Sequence, residues 1–199
     1  KMSKSKGNVV SPDDLVRDYG CDSLRLYEMF VGPPELDSEW DERGIDGVYR
    51  FITRFWKLAV DSIEANVEPT KEMIKLRHQM VHTITRRLED FSLNTVVSGF
   101  MEFNNKFIEL AKKEGGIDKE TIQTFVTLLA PFAPHIGEEL WERLGNTGSV
   151  FENNKWPEAD EELMKDDEIQ VPVQINGKTK VVISVPADIS KDDAIAQGK

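Results

Sequence analysis

The sequence predicts a mainly α-helical fold that ends in a small β element. Apolar residues recur every three or four positions in four long stretches, at roughly 41–64, 70–90, 93–114 and 118–129. Short connections rich in glycine, proline or acidic residues separate these stretches, which favours antiparallel neighbours in a bundle of four or five helices. Apolar and polar residues then alternate over 169–175 and 179–185, which predicts two strands.

The first forty residues predict a loop and two short helices. Glycine and asparagine punctuate residues 1–10, and no carboxylate occurs there, so we expect a mobile loop. The sequence Ser11–Asp14 is typical of a helix start, with serine as the N-cap, proline at the first position and aspartate completing a capping box. This helix should end at Gly20. A second helix is expected over about 22–30, before the break at Gly32–Pro34.

The pattern changes after a shorter helix that is expected from Pro134 to about Leu144. Residues 146–167 are polar and acidic, which predicts a linker that runs over the surface. The pair Asn176–Gly177 is a strong hairpin signal between the two strands. The sequence Ser190–Asp193 should begin a last helix. A hairpin alone is marginally stable in water, so the chain is expected to stop inside a small β-containing domain.

Net charge, cysteine content and the length of apolar runs limit what kind of protein this is and what it can bind. The chain has 199 residues and a formal net charge of -11, which as a global value argues against a nucleic-acid partner. The charge is uneven, because residues 47–60 contain three basic residues and no acidic one. The single cysteine, Cys21, excludes an internal disulfide and fits a reducing cytoplasm. The sequence contains no Cys/His cluster that would predict a metal site. The first residue is Lys1 and not methionine, so we expect the chain to be a piece of a longer protein. No apolar run approaches the ~18 residues that a membrane helix needs.

The first six residues form the segment whose chemistry is most specific. Lys1, Lys4 and Lys6 place three cations in a short loop, and Ser3 and Ser5 add hydroxyl donors. Such a loop suits a polyphosphate whose negative charge grows as a bond breaks, because mobile ammonium groups stabilise the transition state electrostatically. The competing interpretation is a basic tail that binds nothing.

These residues, Lys1-Met2-Ser3-Lys4-Ser5, match the KMSKS signature of class I aminoacyl-tRNA synthetases. The chain also resembles the leucyl branch of that family, since isoleucyl and valyl enzymes usually carry leucine where Lys6 stands. Four further patches follow in the family's order. They lie at Tyr19–Phe30 with Gly32-Pro33, at Asn94–Thr95, at Ala130–His135 with Glu138–Trp141, and at Val173–Lys178 with Val185–Asp188.

The resemblance implies a function for the whole enzyme. It would activate leucine with ATP and Mg²⁺ and transfer the leucyl group to leucine tRNA, as a cytoplasmic monomer. Lys4 matches the family's ATP-contacting lysine and Lys1 would support it. Met2, Ser3 and Ser5 would complete the ATP-binding loop. Without the nucleotide-binding domain, the piece alone should be inactive.

The resemblance also divides the chain into three parts. Residues 1–40 would be the KMSKS loop and a stem-contact segment, and residues 41–145 an anticodon-binding type of helical bundle. Residues 146–199 would be the acidic linker and a truncated α+β C-terminal domain.

Basic residues on the predicted bundle are candidates for tRNA contact. Arg50, Arg54 and Lys57 fall on one helix face, and Arg77 and Arg86 decorate the next helix. Such faces could bind phosphates. Ordinary solvated surface charge is the alternative for each of these residues.

Other interpretations remain open at this stage. The chain could be the equivalent piece of an isoleucyl, valyl or methionyl enzyme, or a helical interaction module that has kept the motif. His135–Glu138 superficially resembles the family's other ATP motif, HIGH, but its fourth residue is glutamate and it lies downstream of the lysine loop. His78 and His82 have a spacing that can bind zinc, yet no third ligand is in view.

Overall fold

The computed structural model describes residues 3–7, 9–38, 40–152, 154–165, 168–175 and 178–186. It divides into two compact units, residues 1–160 and residues 161–199. Within the described ranges, every helix is too short or too polar to cross a lipid bilayer.

The first unit is built from helices, as the periodicity predicts. A short 3₁₀ turn at Lys4–Lys6 precedes them. The helices are α1 (Pro12–Tyr19), α2 (Cys21–Phe30), α3 (Glu42–Ala65), α4 (Lys71–Glu89), α5 (Leu93–Glu114), α6 (Lys119–Leu129) and α7 (Pro134–Arg143). All the predicted helices that fall in the described ranges are present, so the mainly helical fold is confirmed.

Capping side chains define several of the helix starts. Asp41, Thr70 and Asp118 accept a backbone N–H from the first turns of α3, α4 and α6, which satisfies donors that have no partner within the helix. Ser11 stands at the predicted N-cap position of α1, but its side chain makes no capping hydrogen bond. The predicted capping box is therefore absent, and Pro12 at the first position is what remains of that start signal.

Phenylalanine rings fill the centre of the bundle. The Phe125 ring on α6 lies 4.2 Å from Phe55 of α3 and 5.7 Å from Phe100 of α5, between ring centroids. Phe107 and Phe132 extend the cluster on either side. Because each such ring buries a large apolar area, the cluster holds α3, α5 and α6 together around one core.

Helix α2 is fixed to the distant connection between α6 and α7 by two charged side chains. The Asp22 carboxylate accepts the backbone N–H of Ile136 at 2.8 Å and that of His135 at 3.3 Å. It also lies 2.8 Å from Nδ1 of the His135 ring. Arg25 donates to the carbonyls of Pro131 and Phe132. The predicted stem-contact segment and the bundle thus form one packed unit.

Tyr27 of α2 positions the start of α3. Its hydroxyl donates to the Asp41 carbonyl at 2.6 Å, and its ring packs on Trp40 with centroids 4.9 Å apart. The ring also lies against Gly44, where an added Cβ would come within 2.5 Å of a ring carbon. Glycine at this position therefore permits the close approach of α2 and α3.

The irregular segment after residue 145 packs on the bundle. Asn154 donates to the Thr127 hydroxyl at 2.6 Å, and the Trp156 indole N–H donates to the Thr85 hydroxyl at 2.8 Å. The first unit consequently continues to residue 160, beyond the end that the helical pattern alone predicts at residue 145. A polar segment can pack in this way because the indole of Trp156 supplies both apolar contact and a hydrogen-bond donor.

The second unit contains the predicted antiparallel pair of strands. Strand β1 (Glu168–Ile175) pairs with β2 (Lys178–Pro186), and Val173 is opposite Val181 before the register shifts at the next residue. The Asn176–Gly177 turn and the helix expected after Ser190 lie outside the described residues.

We expect Asp22→Ala to lower the free energy of unfolding by about 2 kcal/mol, because it leaves two backbone N–H groups at the start of α7 without an acceptor. Urea unfolding at neutral pH would measure the change. Asp13→Ala, at an exposed carboxylate of α1, is the matched control and should change stability by less than about 0.5 kcal/mol. An Asp22 variant as stable as this control would contradict the capping role.

Candidate functional site

Helix α3 carries a basic face, formed by Arg50, Arg54 and Lys57, on its exposed side. Phe51, Phe55 and Leu58 are buried in the bundle. Arg50 and Arg54, spaced by four positions, are exposed. The 3.6-residue period of the helix produces this separation, since residues four apart share a face.

The cations of this face differ in how they are neutralised. The Lys57 ammonium lies 2.9 Å from the Asp61 carboxylate, one turn further along α3. Neither Arg50 nor Arg54 has an ion-pair or hydrogen-bonding partner for its side chain in the part of the chain that the structure describes. Two guanidinium groups are therefore available to an anion without first breaking an internal pair.

A groove between α3 and α5 borders the basic face. It has a volume of about 350 Å³ and is lined by apolar side chains below a charged rim; the lining residues are Arg54, Lys57, Leu58, Asp61, Ile108, Ala111 and Lys112. Arg54 and Lys57 belong to both the basic face and the groove. A ligand on the face would thus have apolar surface within reach.

One aromatic side chain on the same helix was not singled out by sequence reasoning. Tyr49 precedes Arg50 and is 44% exposed. Its ring packs edge to face on Tyr19 of α1, with centroids 5.8 Å apart and planes at 75°. The signal was present, because an aromatic residue one position before Arg50 on an amphipathic helix falls near the solvent-facing side.

The structure separates the remaining basic candidates from this face. The Arg77 side chain is 10% exposed and its Nη1 lies 2.7 Å from Glu120 and 3.8 Å from Asp118. Arg77 thus sits in the interior of the bundle, where it balances two carboxylates. Arg86 is exposed in the last turn of α4. It lines a hollow of about 710 Å³ whose walls include Glu89 and Asp90, so its surroundings are acidic.

The described part of the lysine loop is a tight turn. The Lys6 backbone N–H donates to the Ser3 carbonyl at 3.1 Å, and the hydroxyls of Ser3 and Ser5 lie 3.2 Å apart. Gly7 follows with a φ of 64°, in the left-handed region that glycine adopts without strain. Lys1 and Met2 lie outside the described residues, as does the side chain of Lys4. The turn exposes Ser5 and Lys6.

Two family models match separate parts of the chain. The model for the anticodon-binding domain of tRNA ligases matches residues 70–195. The chain belongs to this family. The model for class I tRNA synthetases (I, L, M and V) matches residues 1–41, which include the lysine loop. Helix α3, with its basic face, falls between the two matched ranges.

Two similar proteins belong to the leucyl branch of the family. A leucine–tRNA ligase of Fervidobacterium nodosum is 44% identical over 97% of this chain. A LeuRS of Agrobacterium radiobacter K84, solved as a ternary complex with tRNA and LeuAMS, is 27% identical over 99% of the chain with a TM-score of 0.83. The predicted resemblance to leucyl enzymes is confirmed. The chain spans about a quarter of the length of each of these relatives, 25% and 27%.

Two of the patches that resemble the family contact each other, one from each of the two matched ranges. Asp22 and Arg25 come from the patch at 19–30, and their partners come from the patch at 130–141. His135, which superficially resembles the start of a HIGH motif, is held against Asp22 at the start of α7. The contact is structural, because it satisfies the first backbone donors of that helix.

His78 fastens the end of the irregular segment that follows residue 145. Its Nδ1 accepts the Asp160 backbone N–H at 3.0 Å, so the hydrogen bond requires the neutral ring. Burial lowers the pKa of His78, and the charge of Arg77 acts in the same direction, whereas Asp160 and Glu120 oppose the shift. His82 is exposed one turn later. Among the described residues, no three His, Cys, Asp or Glu side chains group as a metal site requires.

The lowered pKa of His78 predicts a loss of stability in mild acid. As the pH falls below about 6.5, the unfolded chain binds a proton that the folded chain resists, so the free energy of unfolding decreases until the pH passes the folded pKa. We expect His78→Asn, whose amide oxygen can accept the same N–H, to lose less stability between pH 7 and pH 5 than the parent. Urea unfolding at both pH values measures this difference. His82→Asn should keep the parent's pH dependence, and equal pH dependence in His78→Asn and the parent would refute the assignment.

Proposed function

We propose that this chain is the tRNA-binding part of a leucine–tRNA ligase and that the exposed face of α3 contacts the tRNA backbone. The observation that carries the proposal is the 44% identity to a leucine–tRNA ligase along nearly the whole chain. The LeuRS that shares its fold was solved with tRNA, which supports the same partner here.

The whole enzyme would catalyse two steps. The carboxylate of leucine attacks the α-phosphate of ATP, which forms leucyl-adenylate and releases pyrophosphate. A terminal ribose hydroxyl of leucine tRNA then attacks the leucyl carbonyl, and AMP leaves. In the first step, negative charge would accumulate on the pyrophosphate as its bond to the α-phosphate breaks. Cationic side chains near those oxygens would lower the barrier, and Mg²⁺, when bound with ATP, would supply further positive charge.

The lysine loop would supply cations for that first step. Lys4 would contact the ATP phosphates, with Lys1 beside it, and Met2, Ser3 and Ser5 would shape the loop. Support comes from the class I tRNA synthetase match over residues 1–41 and from the tight turn that follows Ser3. A loop of this kind can close on ATP and reopen for product release.

Local charge is what allows an acidic chain to bind RNA. The net charge of -11 repels a polyanion at long range, but screening limits that repulsion to about 8 Å at physiological salt. Arg50 and Arg54 have no internal partner in the described structure and can release counterions from phosphates. Lys57 would contribute less because Asp61 already neutralises it. Arg86 remains a separate candidate, and Arg77 is left out because it is buried.

The lysine loop can be tested in the full reading frame that contains this chain. We expect Lys4→Gln to reduce leucine-dependent ATP–pyrophosphate exchange on the order of a hundredfold, since the transition state then lacks one stabilising cation. Lys165→Gln, an exposed lysine of the second unit, is the control and should keep parental exchange. Parallel assays with isoleucine, valine and methionine should show no comparable exchange. Undiminished exchange in the Lys4 variant would overturn its role, and exchange with a different amino acid would move the proposal to another branch.

The α3 face can be tested by tRNA binding. We expect Arg50→Gln combined with Arg54→Gln to weaken binding of a leucine tRNA transcript. The slope of log affinity against log salt should also become shallower, by about one for each phosphate that the variant no longer neutralises. Filter binding across a salt series measures both quantities.

A double variant at paired arginines is the matched control. Arg17 and Arg43 are also exposed, but Asp14, Asp18 and Asp41 already neutralise them. Arg17→Gln with Arg43→Gln should therefore leave the salt slope unchanged. The α3 assignment fails if the two double variants bind alike.

A further inference from the structure

Side chains of the helices hold the last residues of the first unit. Residues 154–160 lie outside any helix or strand, and among the described residues no backbone–backbone hydrogen bond fixes them. The Trp156 indole anchors the middle of this stretch to Thr85 of α4. The Asp160 backbone N–H donates to Nδ1 of His78, also on α4, at 3.0 Å. His78 therefore holds the residue at which the first unit ends.

The hydrogen bond between Asp160 and His78 exists in one protonation state of the ring. Nδ1 accepts an N–H only while its lone pair is free, which requires neutral imidazole. A proton on Nδ1 would place two N–H donors against each other. The backbone amide cannot adapt as a hydroxyl group would, because its nitrogen offers no acceptor. Protonation of the ring at this atom thus removes the bond.

Charged side chains from three elements face the His78 ring. They are Arg77 of α4, Glu120 of α6 and Asp160 of the irregular segment. Burial lowers the pKa of His78 and the charge of Arg77 lowers it further, whereas Asp160 and Glu120 raise it. Both carboxylates belong to exposed residues, where solvent screens them, but the Arg77 side chain is 10% exposed. The ring is consequently neutral at neutral pH, and the bond to Asp160 is made.

The contacts between Trp156 and the end of the first unit are otherwise light. Glu158 and Asp160 are exposed, and Pro157 and Ala159 are half-buried. Ala159 packs against the edge of the core with a side chain of one methyl group. Little apolar area therefore opposes the departure of residues 157–160 once the hydrogen bond to His78 is lost.

We propose that His78 is a pH-sensitive switch whose protonation frees residues 157–160 from α4 while Trp156 and the helices stay in place. Release takes up one proton, so the ratio of attached to released segment falls by up to tenfold for each unit that the pH drops below about 6.5. The four released residues lengthen the free chain that leads to the second unit by at most about 14 Å. This inference does not require tRNA and is independent of the proposed function.

Amide hydrogen exchange followed by NMR at pH 7.5 and pH 5.0 tests the switch. The protection factor, which corrects for the intrinsic exchange rate at each pH, reports how often an N–H is released. We expect the protection factor of the Asp160 amide to fall more than tenfold at pH 5.0, and that of the Trp156 indole N–H to stay within twofold. His78→Asn keeps an acceptor that does not titrate, so Asp160 should remain protected at both pH values. His82→Asn is the matched control and should retain the parent's pH dependence.

Three outcomes would overturn the proposal. Equal protection of the Asp160 amide at both pH values in the parent would show that the ring does not control the segment. A fall in His78→Asn as large as in the parent would assign the pH dependence to a carboxylate instead. A parallel loss of protection at the Trp156 indole would mean that the whole segment or the bundle opens. Thermal melting at pH 7.5 confirms that each variant is folded as the parent is.

Discussion

The buried carboxylate of Asp22 is the constraint on which the arrangement of the first unit depends. It holds the N-terminus of α7, and its helix α2 in turn carries Tyr27, which packs on Gly44 and accepts and donates hydrogen bonds at Asp41. Helix α2 is therefore tied at two places, one at the end of the bundle and one at the start of α3. A carboxylate suits this position because the first turn of a helix presents unpaired N–H donors and a partial positive charge.

The helices could be predicted because apolar spacing reports directly on which face of a helix is buried. The same spacing says nothing about which element covers that face. The contact of Asp22 with His135 joins residues 113 positions apart, and no local pattern indicates it. The position of Trp156 on α4 was missed for a related reason, because a single indole in a polar segment looks like linker until its partner is known. The KMSKS sequence could be identified because its function depends on which residues are present in order, and a sequence shows that directly.

The candidate interface shows what helical spacing cannot resolve. Arg50 and Arg77 are both arginines on amphipathic helices, and their spacing makes them equivalent candidates. Arg50 faces solvent, whereas Arg77 is covered by the Asp118 and Glu120 side of α6. This difference in exposure between the two arginines depends on where α6 packs against α4, which is a property of the tertiary structure.

The Phe125 cluster has a consequence for how the domain opens. Helix α6 has 11 residues, fewer than an isolated helix needs to persist in water, so it exists through its packing. Its ring contacts both α3 and α5, which means that α6 cannot detach without exposing the faces of two longer helices. Amide protons in the centre of α6 should consequently exchange with solvent only through events that open most of the bundle. A short helix in the interior would then be among the slowest elements of the bundle to exchange.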